Sequence, residues 1–436
     1  MTAYAIPVVE PSATEGGILR IATIGSVDDG KSTLIGRLLH DSRQLLDDQV
    51  SALATASRRR GAAALDLSFA TDGLRDERDQ GITIDVAYRY ASTPRRKLVI
   101  ADCPGHVQYT RNMATGASSA DLAVSVVDVT AGLRDQTRRH CCVAALLGVR
   151  SMIVAANKMD LVGWDRDAYE AVAAEMRALA ARTGMDAVMV IPVSALNGDN
   201  VVERSESSPW YEGPTLFEAI DAAPAVAWAN GGSEGSRLPV QWVLRGPGKG
   251  RAYAGMVSGG TIGSGDEVVI LPSGLRSTVS SVSTHDGPLG RAHPPLSVSV
   301  TLADDVDAGR GDMIASSASP PEVLGTLDAT ICWFSAEPIR PGNRYRVKHT
   351  TRVLPARVEG LEGRMDLESL QLSAAAELRE NDIGRARLVL GGQIAADAYR
   401  SNRLTGSFVL VDEVTNATLG AGLVELDGRT VDRSGL

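Results

Sequence analysis

Four cysteines in 436 residues leave little on which to build a disulfide framework. Cys103, Cys141, Cys142 and Cys332 form no CxxC pair and no secreted-type spacing, which points to reduced thiols in a reducing compartment. No apolar run is long enough to span a bilayer, so no membrane segment is expected. Residues 1–17 lack the basic start and continuous apolar stretch of a secretory leader, and read as the flexible tail of a cytoplasmic protein. An excess of positive charge is missing too. The 44 Lys and Arg face 53 Asp and Glu, a net charge of −9, which argues against the broad cationic surface of a non-specific nucleic-acid binder. The run Arg139-His140-Cys141-Cys142 is read as packing and not as a metal site, because consecutive helical residues point about 100° apart and cannot converge on one ion.

What is present is the composition of a globular protein, 44% hydrophobic and 22% charged. The chain is longer than one core usually organises, so three domains are expected. From Leu19 to about Ala222, short apolar strands alternate with helical stretches, the pattern of an α/β domain with a mainly parallel sheet. The predicted strands are Leu19 to Gly25, Thr83 to Tyr90, Lys97 to Asp102, Asp121 to Asp128, Ser151 to Asn157 and Ala187 to Ser194. In the second of these, Ile84, Val86, Tyr88 and Tyr90 alternate with Asp85, Ala87 and Arg89, which predicts a half-exposed antiparallel edge strand. Residues 223–237, rich in Ala, Gly and Ser, read as a linker. Beyond it, short β-rich pieces separated by Gly, Pro and Asp turns predict two small β-barrels meeting between Ala318 and Gly325. The expected layout is a nucleotide-binding domain at 18–225 and barrels at 238–320 and 325–436.

The chemistry lies in the first domain. Gly25-Ser26-Val27-Asp28-Asp29-Gly30-Lys31-Ser32-Thr33 contains GxxxxGK(S/T) between an apolar strand and a helix bearing Leu34, Ile35, Leu38 and Leu39. Its backbone amides are expected to cradle phosphate oxygens, Lys31 to reach the β- and γ-phosphates, and Ser32 to bind Mg²⁺. Asn157-Lys158-Met159-Asp160 fits NKxD after the fifth strand. Guanine offers two adjacent donors that one carboxylate accepts together, whereas adenine presents an acceptor that would repel Asp160. Such charge-assisted bonds, about 1.5–3 kcal/mol each, select guanine. Ser194-Ala195-Leu196 after the sixth strand would wall the base.

Between these elements, Asp102-Cys103-Pro104-Gly105-His106 ends the third strand with DxxG. Asp102 would hold Mg²⁺ through water and the Gly105 amide would sense the γ-phosphate. His106 is placed to orient the attacking water, and the catalytic candidates are His106, Lys31 and Asp28. The charged run Asp76-Glu77-Arg78-Asp79-Gln80-Gly81-Ile82 leads to Thr83, whose hydroxyl would close over Mg²⁺ in the GTP state. The metal candidates are therefore Ser32, Thr83 and Asp102. Arg58-Arg59-Arg60 reads as solvated surface. Ser258-Gly259-Gly260 is read as a barrel turn and not as a pyrophosphate loop, since Ile262 stands where that loop needs an aspartate.

Taken together, SVDDGKST, GITI, DCPGH, NKMD and SAL followed by two barrels resemble the elongation-factor branch of GTPases. Within that branch, Ser26 to Leu39, Asp72-Gly73-Leu74, Gln80 to Tyr90, Gln108 to Ser118, Asn402 to Phe408 and Thr415 to Gly422 are similar to the large-subunit family of bacterial sulfate adenylyltransferase. Cys103 and Ala91 depart from that family, where Thr and an aromatic are commoner. The resemblance implies GTP hydrolysis coupled to the formation of adenylyl sulfate and pyrophosphate from ATP and sulfate. It implies GTP and Mg²⁺ as cofactors and a separate small adenylyltransferase subunit as partner, in a heterodimer or higher heteromer. With no second GxxxxGK(S/T), an adenylyl-sulfate kinase is expected to be another protein. An elongation factor that delivers aminoacyl-tRNA, and a purely regulatory GTPase, stay open beside this reading.

Overall fold

The structure is a computed structural model that describes residues 17–59, 65–70, 83, 85–224, 235–246, 249–366 and 371–426. The tail at 1–16, the charged run Asp76 to Ile82, Ile84, Asp72-Gly73-Leu74 and most of the expected linker lie outside the described residues. The chain divides near residue 226 into two compact units.

The first unit is built on a six-stranded sheet in the order β2-β3-β1-β4-β5-β6. Its strands are β1 (Ile18–Ile24), β2 (Ala87–Ser92), β3 (Lys97–Asp102), β4 (Leu122–Asp128), β5 (Ser151–Asn157) and β6 (Ala187–Pro192). All neighbours run parallel except β2 and β3. Every residue of β4 and β5 is buried, as expected where helices cover both faces of a strand with a continuous apolar run. Helices α1 (Lys31–Asp41), α2 (Asp47–Arg59), α3 (Thr110–Ser118), α4 (Asp135–Leu146), α5 (Arg166–Thr183) and α6 (Leu216–Ala222) complete the unit. Leu34, Ile35, Leu38 and Leu39 of α1 pack on Leu19, Ile21, Leu98 and Ile100 of β1 and β3.

One expectation changes here. Strand β2 is the half-exposed antiparallel edge strand, but it starts at Ala87, leaving Thr83 outside it. Tyr88 and Tyr90 are exposed, while Ala91 packs on the core that includes Leu98 and Ile100.

The second unit holds two β-sheets of barrel type. The first runs β7 (Arg237–Pro239), β16 (Met313–Ser316), β11 (Glu267–Leu271), β12 (Leu275–Thr284), β15 (Ser297–Leu302), β9 (Lys249–Met256) and β8 (Trp242–Gly246), with the short strands β10 (Ile262–Gly263), β13 (Gly287–Leu289) and β14 (Arg291–Ala292) beside it. The second runs β18 (Arg344–His349), β22 (Ser407–Val411), β23 (Thr418–Glu425), β17 (Glu322–Trp333), β21 (Ile383–Ala396) and β19 (Arg352–Met365), and closes by pairing β18 with β19; β20 (Leu372–Ser373) adds to β19. Ser258-Gly259-Gly260 follows β9, with Gly259 bridging Arg237 and accepting from its amide and Gly260 in a bend at φ 51°.

The expected linker ends too late. Arg237 already belongs to β7, is 2% exposed, and grips Asp397 of β21's outgoing turn through two bonds of 3.0 Å. Asp397 also accepts the Thr405 hydroxyl at 2.6 Å, and Asn402 donates to the Ser258 carbonyl at 2.7 Å. With Val269, Leu271, Met313 and Ala315 packed on Ala395, the two barrels share buried contacts. Among the described residues, no helix is long and apolar enough to cross a membrane.

Candidate functional site

The loop after β1 cannot follow a helical path. Gly25, Asp28 and Gly30 have φ of 146°, 66° and 95°, and a Cβ on Gly25 or Gly30 would lie 2.5 Å from the Val126 carbonyl oxygen or 2.4 Å from the Asn157 amide nitrogen. The two glycines are thus required by close approach as well as by backbone. Helix α1 starts at Lys31 with no acidic residue in its first turn, so its free N-terminal amides form an anion site. Lys31 is buried and its Nζ donates to the carbonyls of Ser26 and Gly25 at 2.7 and 3.2 Å. Burial holds its pKa below the usual lysine range, against the pull of Asp102 and Asp29. A phosphate placed there would relieve that cost by supplying negative charge.

Asp29 does not face the cavity. It is 1% exposed, accepts from the Ser26 amide at 2.8 Å, and burial raises its pKa while that hydrogen bond, Lys31 and Arg134 act the other way. Its carbonyl accepts from the Asn157 amide at 2.8 Å, and the Asn157 oxygen accepts from the Ala195 N–H at 2.9 Å. One side chain therefore ties the loop after β1 to the segment after β6. Arg37 of α1 holds the same segment through the carbonyls of Ala195, at 3.2 Å, and Leu196. Lys158, at φ 66°, is fixed by Asp128 at 2.7 Å, whose own pKa is lowered by hydrogen bonds from Lys158 and Thr130 in spite of its desolvation.

Three residues of α4 and its cap back the phosphate loop, and the sequence reading missed them. Arg134 donates to the Val27 carbonyl at 2.9 Å, the Thr137 and Ser26 hydroxyls meet at 2.9 Å, and the Gly25 amide donates to His140 Nδ1 at 3.4 Å. Burial, with Lys31 nearby, pushes His140 down to about 3, so the ring is neutral and can accept. Its Nε2 lies 2.7 Å from the Gln136 amide nitrogen, and Cys141 is buried against Ser125 and Met152. The spacing 134, 137, 140 is the only sequence signal, and it reads as one helical face.

The segment after β3 lies across the loop. Asp102 is buried and accepts the Thr23 hydroxyl at 3.1 Å. A Cβ on Gly105 would stand 2.5 Å from Lys31 Nζ, so the segment passes as close as a glycine permits. Cys103 is fully buried and its thiol is raised well above its ordinary value by desolvation. His106 is half-buried, with its Nδ1 accepting from the Gln108 amide at 3.3 Å.

A cavity of about 400 Å³ is lined by Val27, Asp28, Gly30, Lys31, Ser32, Thr33, Thr83, Gly105, His106, Asn157, Lys158, Asp160, Ala195 and Leu196, with Ser68 and Leu161 added to the expected set. Gly25, Ser26, Asp29, Asp102, Cys103, Pro104, Met159 and Ser194 stand outside that lining, and each is buried among the elements that shape it. Leu161 and Leu196 are 67% and 66% exposed beside Asp160, which gives the carboxylate end of the cavity apolar flanks of the kind a planar base needs.

Residues 17–225 match the elongation factor Tu GTP binding domain, and residues 326–425 match the GTP-eEF1A C-terminal domain-like family. The chain is 48% identical over 417 residues to the bifunctional enzyme CysN/CysC of Mycobacterium tuberculosis, covering 94% of this chain and 67% of that protein. It is 46% identical over 409 residues to sulfate adenylyltransferase subunit 1 of Aeromonas hydrophila, covering 93% and 86%. It is also 46% identical over 410 residues to the subunit of that name from Laribacter hongkongensis, covering 93% and 85%. The chain belongs to the sulfate adenylyltransferase subunit 1 family, and its first unit carries a GTP-binding domain of the elongation factor Tu type.

Proposed function

We propose that this chain hydrolyses GTP in the 400 Å³ cavity and couples that hydrolysis to the joining of sulfate with the AMP part of ATP on a separate small subunit. The observation that carries the reading is the lining itself, which brings phosphate loop, switch residues Thr83, Gly105 and His106, and Asp160 around one space. Lys31 and the first amides of α1 bind the phosphates. Asp160 accepts from the guanine edge between Leu161 and Leu196. His106 orients water against the γ-phosphate, and the Gly105 amide reports whether that phosphate is present.

The hydroxyls of Ser32 and Thr83 and the carboxylate of Asp102 are the hard oxygen donors that suit Mg²⁺. Mg²⁺ held there would neutralise charge on the β- and γ-phosphate oxygens. The GTP-binding domain at 18–225 does this chemistry, and the barrels at 238–320 and 325–436 serve the partner.

The test has two parts. The isolated chain should turn over GTP slowly and make no adenylyl sulfate, and adding the small subunit should raise both activities together. His106→Ala should leave the GTP dissociation constant nearly unchanged while lowering turnover about 100-fold, within the range general-acid–base and water-positioning groups contribute. Robust adenylyl sulfate synthesis by the isolated chain would overturn the division of labour, and loss of GTP binding in the variant would make His106 structural.

A further inference from the structure

We infer that Arg134 is a positioning residue for hydrolysis, acting through the Val27–Asp28 peptide. This inference rests on the reading of the cavity as a GTPase site. Arg134 caps α4 in an extended conformation, with φ −88° and ψ 156°, and does not line the cavity. Its guanidinium donates to the Val27 carbonyl at 2.9 Å and stands 3.7 Å from Asp29 Oδ1. It therefore touches the loop from behind.

In a trans peptide the C=O and the following N–H lie in one rigid plane and point in opposite directions. Pinning the Val27 oxygen towards Arg134 aims the Asp28 N–H the other way, to the side where Val27 and Asp28 meet the cavity. That orientation is not free. Asp28 is held at φ 66°, a region that costs an L-residue with a side chain about 1–3 kcal/mol and persists only where the surroundings hold it. The neighbouring residues have their own clamps on the same helix, Ser26 through Thr137 and Gly25 through His140. The Asp28 peptide has Arg134.

The charge matters as well as the bond. A guanidinium on a carbonyl polarises the whole peptide and strengthens its N–H as a donor. In phosphoryl transfer the negative charge that develops in the loose transition state favours donors fixed in advance. An amide aimed and polarised by Arg134 contributes more to that state than to bound GTP, so its loss should appear in turnover before affinity. Asp29 gains from the same cation, since its buried carboxylate is stabilised by Arg134.

The test compares Arg134→Met, Arg134→Lys and the unaltered full-length chain in single-turnover hydrolysis, with GTP binding measured by titration and folding by thermal denaturation. Arg134→Met should lose about tenfold in the hydrolysis step with less than about a threefold change in GTP affinity, while Arg134→Lys recovers most of the rate. Unchanged hydrolysis in Arg134→Met would overturn the inference. So would a loss of affinity equal to the loss of rate, or a Lys variant as slow as Met. A native chain that hydrolyses no GTP would instead contradict the underlying reading of the site.

Discussion

At the scale of single residues, the site depends on side chains whose roles differ although their motif looks continuous. Asp160 faces the cavity while Met159 beside it is fully buried with its amide bonded to the Val193 carbonyl at 3.2 Å. Asp160→Asn should therefore weaken GTP by about 10–100-fold and favour xanthine nucleotides, since two charge-assisted bonds become one mismatched pair. Equal GTP affinity in a nucleotide titration would remove Asp160 from the base site. His140 makes a pH prediction. Its pKa falls from 6.5 to about 3 on burial, and that of buried His349 in the second unit is lowered for the same reason. A ring kept neutral in the fold but free to protonate when unfolded contributes stability that is present above the unfolded value of 6.5. That contribution is lost as pH falls from there towards the folded value. Urea midpoints should drop between about pH 7 and pH 5, and His140→Gln should flatten that drop in the first unit's transition. An identical slope in the variant would show that His140 does not titrate on unfolding.

At the scale of elements, close approach ties α3 to the end of β3 and the segment after it. Gly116 lies in α3, and a Cβ there would stand 2.5 Å from Cys103 Sγ and 3.5 Å from the Ala101 Cβ. Gly116→Ala should lift α3 from β3, lowering stability by about 1–3 kcal/mol through overpacking and disturbing the Gly105–His106 segment that joins them. A melting temperature and a GTPase rate both equal to those of the native chain would contradict this. The parallel core was legible because β4 and β5 are short continuous apolar runs, and the site motifs because each lies where strand meets helix. The faces of β2 were not legible. Tyr88 and Tyr90 carry the apolar signal yet are exposed, while Ala91 is the residue of β2 that packs on the core. The long β19 passes through Pro355, Gly360 and Gly363, with register shifts at the last two. Spacing alone could not show that Arg134, Thr137 and His140 meet residues more than 100 positions earlier.

At the scale of the whole molecule, the second unit behaves as one body because its two barrels share a buried ion pair. Arg237→Met would leave Asp397 buried with the Thr405 hydroxyl as its remaining bonded side chain, and should cost about 3–5 kcal/mol, whereas Arg237→Met with Asp397→Leu should cost less. Equal losses in the single and double variants, measured by chemical denaturation, would show that the pair does not act as a unit. Two small barrels held in this way suit a part that presents a fixed surface, while the nucleotide chemistry stays in the first unit. The central claim is that GTP hydrolysis drives sulfate activation, and the most direct measurement is the amount of adenylyl sulfate formed at steady state by the chain with its small subunit, ATP and sulfate. With GTP, the product should accumulate well beyond the level reached with a non-hydrolysable GTP analogue. The same level with both nucleotides would contradict coupling.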